Sequence, residues 1–406
     1  MNNVFDVLQE RGYIEQLTHP EEIKKLLSGD PISFYIGIDP TANSMHIGHF
    51  VALMVASHLQ KAGHKPIILM GGGTAVIGDP SGRTDMRQML TREQLDENVN
   101  AIKKQAERFV SFEGENAAII VNNADWLLNL NYLDFMKEIG TKFTISKMIA
   151  QECYKNRLET GLTFFEMGYL LLQSYDFLYL HDKYNCKLQI GGNDQWSNII
   201  GGVELIRKIG SDDSFGLTFK LLTKSDGKKM GKTASGALWL NPERTSPYEF
   251  YQYWRNIADD EVINVAKILT FLPLEEINEF SKLKDEQINE AKKKLAFEIT
   301  KLVHGEDEAK KAEEAAQALF NGQGSLENMP TTKIENSNIS ILDALVLTEI
   351  APSKGQAKKL ITQGGVSLND EKITDITYTL SDKDFTDGYA ILKKGKKVFH
   401  KLEKVD

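Results

Sequence analysis

Short apolar segments alternate with amphipathic helical stretches from residue 34 to about residue 222, which predicts an α/β fold with a doubly wound parallel sheet. Two further observations complete the fold class. Ile288, Ala291, Leu295, Ile299 and Leu302 recur at helical spacing and predict a small all-α domain. After a turn-rich stretch, two short helices and a strand-rich tail predict a C-terminal α+β module. The boundaries of this reading are 1–222 for the sheet domain, 223–320 for a lysine-rich loop and the helical domain, 321–337 for a linker and 338–406 for the terminal module.

The strand candidates are residues 34–38, 65–70, 117–121 and 186–191. The first runs through Asp39-Pro40-Thr41 into a helix expected from about His46 to Lys61. In doubly wound sheets ligands bind beyond the carboxyl ends of the strands, and Asp39, Gly71 to Gly73 and Gly191 to Asn193 each follow a strand directly. Further on, Ser246-Pro247-Tyr248-Glu249 has the spacing of a capping box with proline at the first helical position. Gly305 interrupts the later helical pattern, which Ala309, Ala312, Ala316 and Leu319 resume. Gly322-Gln323-Gly324-Ser325 and Met329-Pro330-Thr331-Thr332 are turn formers with little periodic apolar content, the composition of a linker. Residues 341–345 and 354–361 are the two short helices, and Gly364-Gly365-Val366 opens the strands of the tail.

His46-Ile47-Gly48-His49 stands where the chain enters its first long helix. A helix N-terminus attracts phosphate through its unpaired N–H groups and its dipole. Histidines three residues apart share one face of that turn, and Gly48 lets a ligand approach the backbone. Far downstream, Lys229-Met230-Gly231-Lys232-Thr233 sets two lysines around a glycine between the loop formers Asp226-Gly227 and Ala234-Ser235-Gly236. Either motif alone has an ordinary reading, as a capped first turn or a solvated loop. Together they read as two halves of one ATP site. The stretches from Gly78 and from Gly227 each have three residues rather than four between their glycines, which argues against a P-loop. His19, His58, His64, His181, His304 and His400 supply no second ligand cluster, so a zinc reading is weaker still.

A chain of 406 residues can bury a core without covalent staples, and Cys153 and Cys186, far from any Cys-x-x-Cys spacing, fit a reducing cytoplasm. The opening residues lack a basic-then-apolar leader and no apolar stretch reaches membrane-spanning length, so secretion and membrane insertion are not expected. A net charge of -9 counts against a nucleic-acid partner, but residues 338–406 carry 11 lysines against 10 acidic side chains. The lysines cluster at Lys354, Lys358 and Lys359 and again from Lys393 to Lys397.

Taken in order, Tyr35-Ile36-Gly37-Ile38-Asp39-Pro40-Thr41, His46 to His49, Gly78-Asp79-Pro80-Ser81-Gly82, Tyr169 with Gln173 and Asp176, Gly191-Gly192-Asn193-Asp194-Gln195-Trp196, and Lys229 to Thr233 resemble the motifs of bacterial-type tyrosyl-tRNA synthetases, a class I family. The likeness spans nearly the whole chain and departs from the broader Lys-Met-Ser-Lys-Ser pattern at Gly231 and Thr233. It implies a Rossmann-like catalytic domain, a terminal RNA-binding module of the S-four type, and a homodimer in which Phe164 matches a subunit-contact position. It also implies activation of L-tyrosine by ATP and transfer of the tyrosyl group to tRNA(Tyr). Mg²⁺ arrives with ATP; no protein-bound metal or organic cofactor is implied. By the same resemblance Thr41, His46 and His49 meet the phosphates while Lys229, Lys232 and Thr233 close over the pyrophosphate. Tyr35 and Asp176 meet the tyrosine hydroxyl, and Asp79, Tyr169, Gln173 and Gln195 the rest of the amino acid. Gly37, Asp39, Gly48, Gly192 and Asp194 border ATP, Arg83 and Arg87 reach its phosphates, and Lys354, Lys358 and Lys359 contact RNA. The rival readings are a tryptophanyl-tRNA synthetase, a small-molecule nucleotidyltransferase and a synthetase-derived RNA-binding or splicing protein. The long C-terminal region and the intact His46, His49, Lys229 and Lys232 favour the tyrosine enzyme.

Overall fold

The computed structural model describes residues 3–79, 81, 90–151, 154, 155, 158, 161–210, 213–225, 227, 230–233, 236–283, 287–320, 329, 331–348, 350–395 and 398–405. The chain divides into two compact units, Met1–Met230 with Asp260–Lys282, and Gly231–Asp259 with Leu283–Asp406.

The first unit is built on a six-stranded sheet of β1 (Ile14–Leu17), β2 (Ser33–Ile38), β3 (Lys65–Met70), β4 (Ile119–Asn122), β5 (Cys186–Gly192) and β6 (Phe215–Phe219), in the order β1-β6-β5-β2-β3-β4. β2 to β6 run parallel and β1 is antiparallel to β6. The four expected strands are present with ends shifted by no more than two residues, whereas β1 and β6 lie outside the sequence reading. β1 is an edge strand with no fully buried residue, so its Ile-Glu-Gln-Leu sequence carries no apolar run to reveal it. The chain steps from β2 to β3 and β4 on one side, then returns to β5 and β6 on the other. The sheet therefore reverses direction between β2 and β5, and a crevice opens beyond their carboxyl ends.

Three helices bring side chains to that crevice. Ile47–Lys61 follows β2 and is buried continuously from Phe50 to Gln60. Phe164–Tyr184 begins at a Thr163–Glu166 capping box and ends where Asn185 takes a left-handed conformation. It packs against Trp196–Ile209 at glycines, since a Cβ at Gly201 would stand 2.6 Å from Ser174 Oγ and one at Gly202 2.9 Å from the Phe177 ring. This close approach fixes the helix face that carries Tyr169, Gln173 and Asp176.

The helical domain expected over 223–320 is not one body, because Asp260–Lys282 belongs to the first unit. Long-range hydrogen bonds explain the correction. Arg11, only 6% exposed, donates from Nη1 to the carbonyls of Lys267 (3.0 Å) and Thr270 (2.8 Å) and from Nη2 to that of Leu272 (2.6 Å). These carbonyls lie at the C-terminal end of the helix Val262–Leu269, where unpaired oxygens and the dipole favour a cation. The Tyr13 hydroxyl adds a bond to the Ile268 carbonyl.

In the second unit β7 (Lys232–Thr233) pairs with β8 (Gly236–Ala237), and Ser246 caps the expected helix Pro247–Arg255. The helices Ile288–His304 and Glu306–Phe320 follow, close to their sequence-based positions. The terminal module is a five-stranded sheet of β9 (Thr331–Ile334), β10 (Val366–Leu368), β11 (Glu371–Lys372), β12 (Tyr389–Lys394) and β13 (Val398–Lys404), ordered β11-β10-β12-β13-β9. The helices Ile341–Leu347 and Lys354–Thr362 share its core, where Ile341, Leu345, Ile361, Val366, Leu392 and Leu402 are buried together. β9 corrects the linker expected over 321–337, for it pairs in parallel with β13 and places 331–334 in the module. Its turn-forming composition conceals it, and its partner lies far along the chain.

Replacing Arg11 by Met keeps the apolar stem and removes the donors, leaving three carbonyls to find other partners. Arg11→Met is expected to lower unfolding stability by about 2–4 kcal/mol. A urea titration that gives less than about 0.5 kcal/mol would show that the clamp adds little.

Candidate active site

β2 carries Tyr35 into the unit with its ring buried against Phe177 at 5.3 Å between centroids. Its hydroxyl is buried without a protein partner, as are Gln173 Oε1 and Gln189 Oε1. In the parallel register Tyr35 stands beside Gln189 of β5, so the two project on the same side of the sheet. Buried polar atoms left unpaired are costly and uncommon, and the Tyr35 hydroxyl and Gln189 Oε1 on neighbouring strands point to a polar ligand.

Asp176 is 1% exposed. Trp126 Nε1 donates to its Oδ1 at 2.8 Å and Asn123 Nδ2 to its Oδ2 at 2.9 Å. Burial pushes the carboxyl up to about 8 against the pull of those two donors, and the charge of Asp39 adds to the rise. Tyr35 is pushed above the ordinary tyrosine value, first by burial and then by the charge of Asp176. The network continues from Asn123 Nδ2 to Thr74 Oγ1 (3.0 Å) and from Thr74 Oγ1 to Asp39 Oδ1 (2.9 Å), and Tyr169 donates its hydroxyl to Asp39 Oδ2 (3.0 Å).

A second network is built around Asp79, which is 6% exposed. Gln195 Nε2 donates to Asp79 Oδ2 at 2.6 Å, the Ser81 N–H donates to Oδ1 at 2.8 Å, and Gln195 Oε1 accepts from Gln173 Nε2 (3.3 Å) and Asn198 Nδ2 (3.1 Å). One end of the site thus offers a carboxyl and a phenol to a hydroxyl. The other offers a carboxylate and amide oxygens to an ammonium.

At the mouth, His46 caps the helix Ile47–Lys61 and faces His49 in a stacked pair 4.1 Å apart. The Gly48 N–H donates to His46 Nδ1 (3.1 Å) and the His46 N–H to His49 Nδ1 (3.2 Å). Because each Nδ1 accepts, the proton of each neutral ring resides on Nε2, giving two Nε2–H donors at a helix N-terminus. A Cβ at Gly48 would meet His46 Cε1 at 2.9 Å, so glycine is what lets the ring fold back over the turn. Thr41 is exposed on the strand-to-helix connection that leads to this mouth, Gly37 is exposed near the carboxyl end of β2, and Gly192 and Asp194 are half-buried at the end of β5. A groove of about 1110 Å³ lies elsewhere, where β2 and β3 begin at Ser33 and Lys65, and takes no part in this constellation.

A family model described as tRNA synthetases class I (W and Y) matches residues 27–321, and one described as the tyrosine–tRNA ligase SYY-like C-terminal domain matches residues 322–402. The chain belongs to the class I tRNA synthetase family. It is 56% identical over 405 residues to a tyrosine–tRNA ligase of Clostridium botulinum (strain Hall), covering 99% of each chain. To that of Acetivibrio thermocellus it is 55% identical over 409 residues, covering 100% of each. Among solved structures, it resembles a C-terminally truncated mitochondrial tyrosyl-tRNA synthetase of Aspergillus nidulans with a TM-score of 0.70 and 28% identity, over 79% of this chain and 94% of that one.

In this synthetase the structure brings together Tyr35 with Asp176, Asp79 with Gln173 and Gln195, Asp39 with Tyr169, and His46 with His49. Arg83, Arg87 and Lys229 lie outside the described residues, and for Lys232 and Thr233 only the backbone of β7 is described. Lys354, Lys358 and Lys359 are exposed along Lys354–Thr362, with Lys354 paired to Asp343 at 2.6 Å. Sequence reasoning missed Thr74, Asn123, Trp126 and Gln189. Only Gln189 left a trace, as a polar residue inside an otherwise apolar strand. Among the described residues no group of three or more metal-ligating side chains gathers, and no helix is long and apolar enough to cross a membrane.

The folded chain holds a proton on Asp176 where the unfolded chain has released it. This contribution to stability is complete below about 3.8, the ordinary aspartate value, and is lost as pH rises through about 8. The melting temperature of the parent should therefore fall relative to Asp176→Asn between those limits and run parallel above them. A constant gap between the two proteins across the series would contradict a buried, protonated carboxyl.

Proposed function

We propose that the site performs the two steps of tyrosine–tRNA ligation with the residues described above in defined roles. The protein is an ATP-dependent tyrosine–tRNA ligase of the protein-synthesis machinery. The observation that carries the substrate assignment is the buried Tyr35 hydroxyl beside Asp176, an unpaired phenol and a carboxyl at the closed end of the site. A tyrosine hydroxyl pairs with both. Phenylalanine would leave both unpaired in a desolvated pocket, so it is rejected by the penalty of stranding polar groups.

The tyrosine ammonium meets Asp79, Gln173 and Tyr169, with Gln195 holding Asp79 in place. Its carboxylate attacks the α-phosphorus of MgATP. A carboxylate is a nucleophile at neutral pH without a general base, so rate enhancement comes from alignment and from donors placed where phosphate charge develops. His46 and His49 supply such donors through Nε2–H at the helix N-terminus, with Thr41 beside them and Gly37, Asp39, Gly48, Gly192 and Asp194 around the nucleoside. Lys229, Lys232 and Thr233, with Arg83 and Arg87, neutralise the departing pyrophosphate. The adenylate then passes its tyrosyl group to the 3′ end of tRNA(Tyr), which the exposed Lys354, Lys358 and Lys359 help to hold.

Tyr132, Leu133, Ile145 and Phe164 are each more than half exposed, and large apolar side chains left in water support assembly as a homodimer. A soluble cytoplasmic enzyme is the setting that matches its chemistry.

Tyrosine-dependent exchange of pyrophosphate into ATP, measured without tRNA beside parallel reactions with tryptophan and phenylalanine, tests the assignment. Exchange with tyrosine alone is expected; exchange with tryptophan alone would transfer the chain to the other branch of its family. His46→Ala should lower kcat by about a hundredfold while leaving the tyrosine KM nearly unchanged, because its donor strengthens in the transition state. A large KM rise at constant kcat would instead place His46 in ground-state binding.

A further inference from the structure

Glu261 is 8% exposed and follows Asp259 and Asp260 in a short turn that opens the helix Val262–Leu269. A negative charge at that position is favoured by the positive end of the helix dipole. Glu261 makes no cap bond. Its Oε1 instead accepts from the backbone N–H of Ser225 at 3.4 Å, 36 residues away along the chain.

Ser225 lies on the approach to Lys229 and Lys232. The approach is itself folded: the Gly227 N–H donates to the Lys224 carbonyl at 2.9 Å in a turn with Gly227 at φ +79°, and the Met230 N–H donates to the Leu222 carbonyl at 2.9 Å. Leu222 and Met230 are both buried. The base on which Glu261 rides is equally fixed. Val262, Val265, Ala266, Ile268 and Leu269 are buried, and Arg11 and Tyr13 hold the far end of the helix through its carbonyls. A buried carboxylate on a clamped helix thus reaches a backbone donor in the segment that leads to the lysines.

We propose that Glu261 is a positioning residue for amino-acid activation, holding Ser225 so that the segment carrying Lys229 and Lys232 starts from a defined place on the catalytic unit. The role rests on the proposed part of those lysines in pyrophosphate departure. Glu261 touches no substrate. It acts by limiting the arrangements from which the lysines engage, so its loss should appear where ATP chemistry is measured and be absent from tyrosine binding.

Three variants test this in the full-length chain. Glu261→Ala should lower kcat for pyrophosphate exchange about tenfold with the tyrosine KM unchanged within about twofold. Glu261→Gln, which retains an oxygen able to accept from Ser225, should recover most of the loss. Ser225→Pro removes the donor, and combined with Glu261→Ala it should cost no more than either change alone. Limited trypsin digestion gives a reading independent of activity, with cleavage after Lys224 and Lys228 accelerating in Glu261→Ala ahead of cleavage elsewhere. Parental kinetics and parental digestion in Glu261→Ala would overturn the assignment. So would equal losses in Ala and Gln variants accompanied by a general fall in melting temperature, the mark of a merely structural side chain. Absence of tyrosine-dependent exchange in the parent would refute the proposed function instead, and the digestion comparison would still decide the tether.

Discussion

A carboxyl that water cannot reach imposes order on everything near it. Asp176 has 1% of its surface exposed and two neutral donors, the Asn123 amide and the Trp126 indole, against its two oxygens. Moving any of the three would strand a buried polar atom, so the helix Phe164–Tyr184, the end of β4 and the short helix Ala124–Leu127 are bound into one arrangement. The same restraint extends through Thr74 to Asp39 at the end of β2 and to Tyr169 one helical turn from Gln173. With Asp176 in its proposed role, specificity and local rigidity have one cause. The groups that would reject a substrate without a hydroxyl are those that cannot relax when it is absent.

The sheet supplies the place for this network. Parallel strands with neighbours on both sides satisfy their backbone groups internally, and the reversal between β2 and β5 leaves one point at which two chain segments diverge from adjacent strand ends. One segment leads into His46 and the helix N-terminus, the other through Gly192 toward Gln195 and Asp79. The groups proposed to recognise the amino acid and the phosphates are therefore adjacent by topology. The imidazoles add direction, since Nδ1 of each is engaged by the backbone and the opposite nitrogen carries the hydrogen.

Much of this was legible in the residues. The strand-and-helix alternation located four of the six strands of the large sheet, and the capping signals of Ser246 and the His46 turn lie where helices begin. Tyr35, Asp79, Gln173, Asp176 and Gln195 were recognisable because they sit in contiguous motifs or at helical spacing on one face. Asn123, Trp126 and Thr74 were not, for their meaning arises from partners about 50 residues away along the chain. Glu261 and Arg11 were equally silent. Their sequence surroundings are those of ordinary charged residues near helix ends, and only the folded chain removes them from water.

The amino-acid order by itself determined what depends on neighbours: which segments become helix or strand, where helices are capped, which chemical groups follow each strand, and hence the family and its reaction. Tertiary structure alone decided what depends on distant partners. It drew Asp260–Lys282 out of its sequence neighbourhood and onto the catalytic unit, recruited Thr331–Ile334 from a turn-rich stretch into a sheet, and fixed which buried polar atoms of the site are paired within the chain. The division has one physical reason. Propensity and periodicity act within a few residues, whereas desolvation is felt only after the chain has closed around a group, and it is desolvation that gives Asp176 and Arg11 their force.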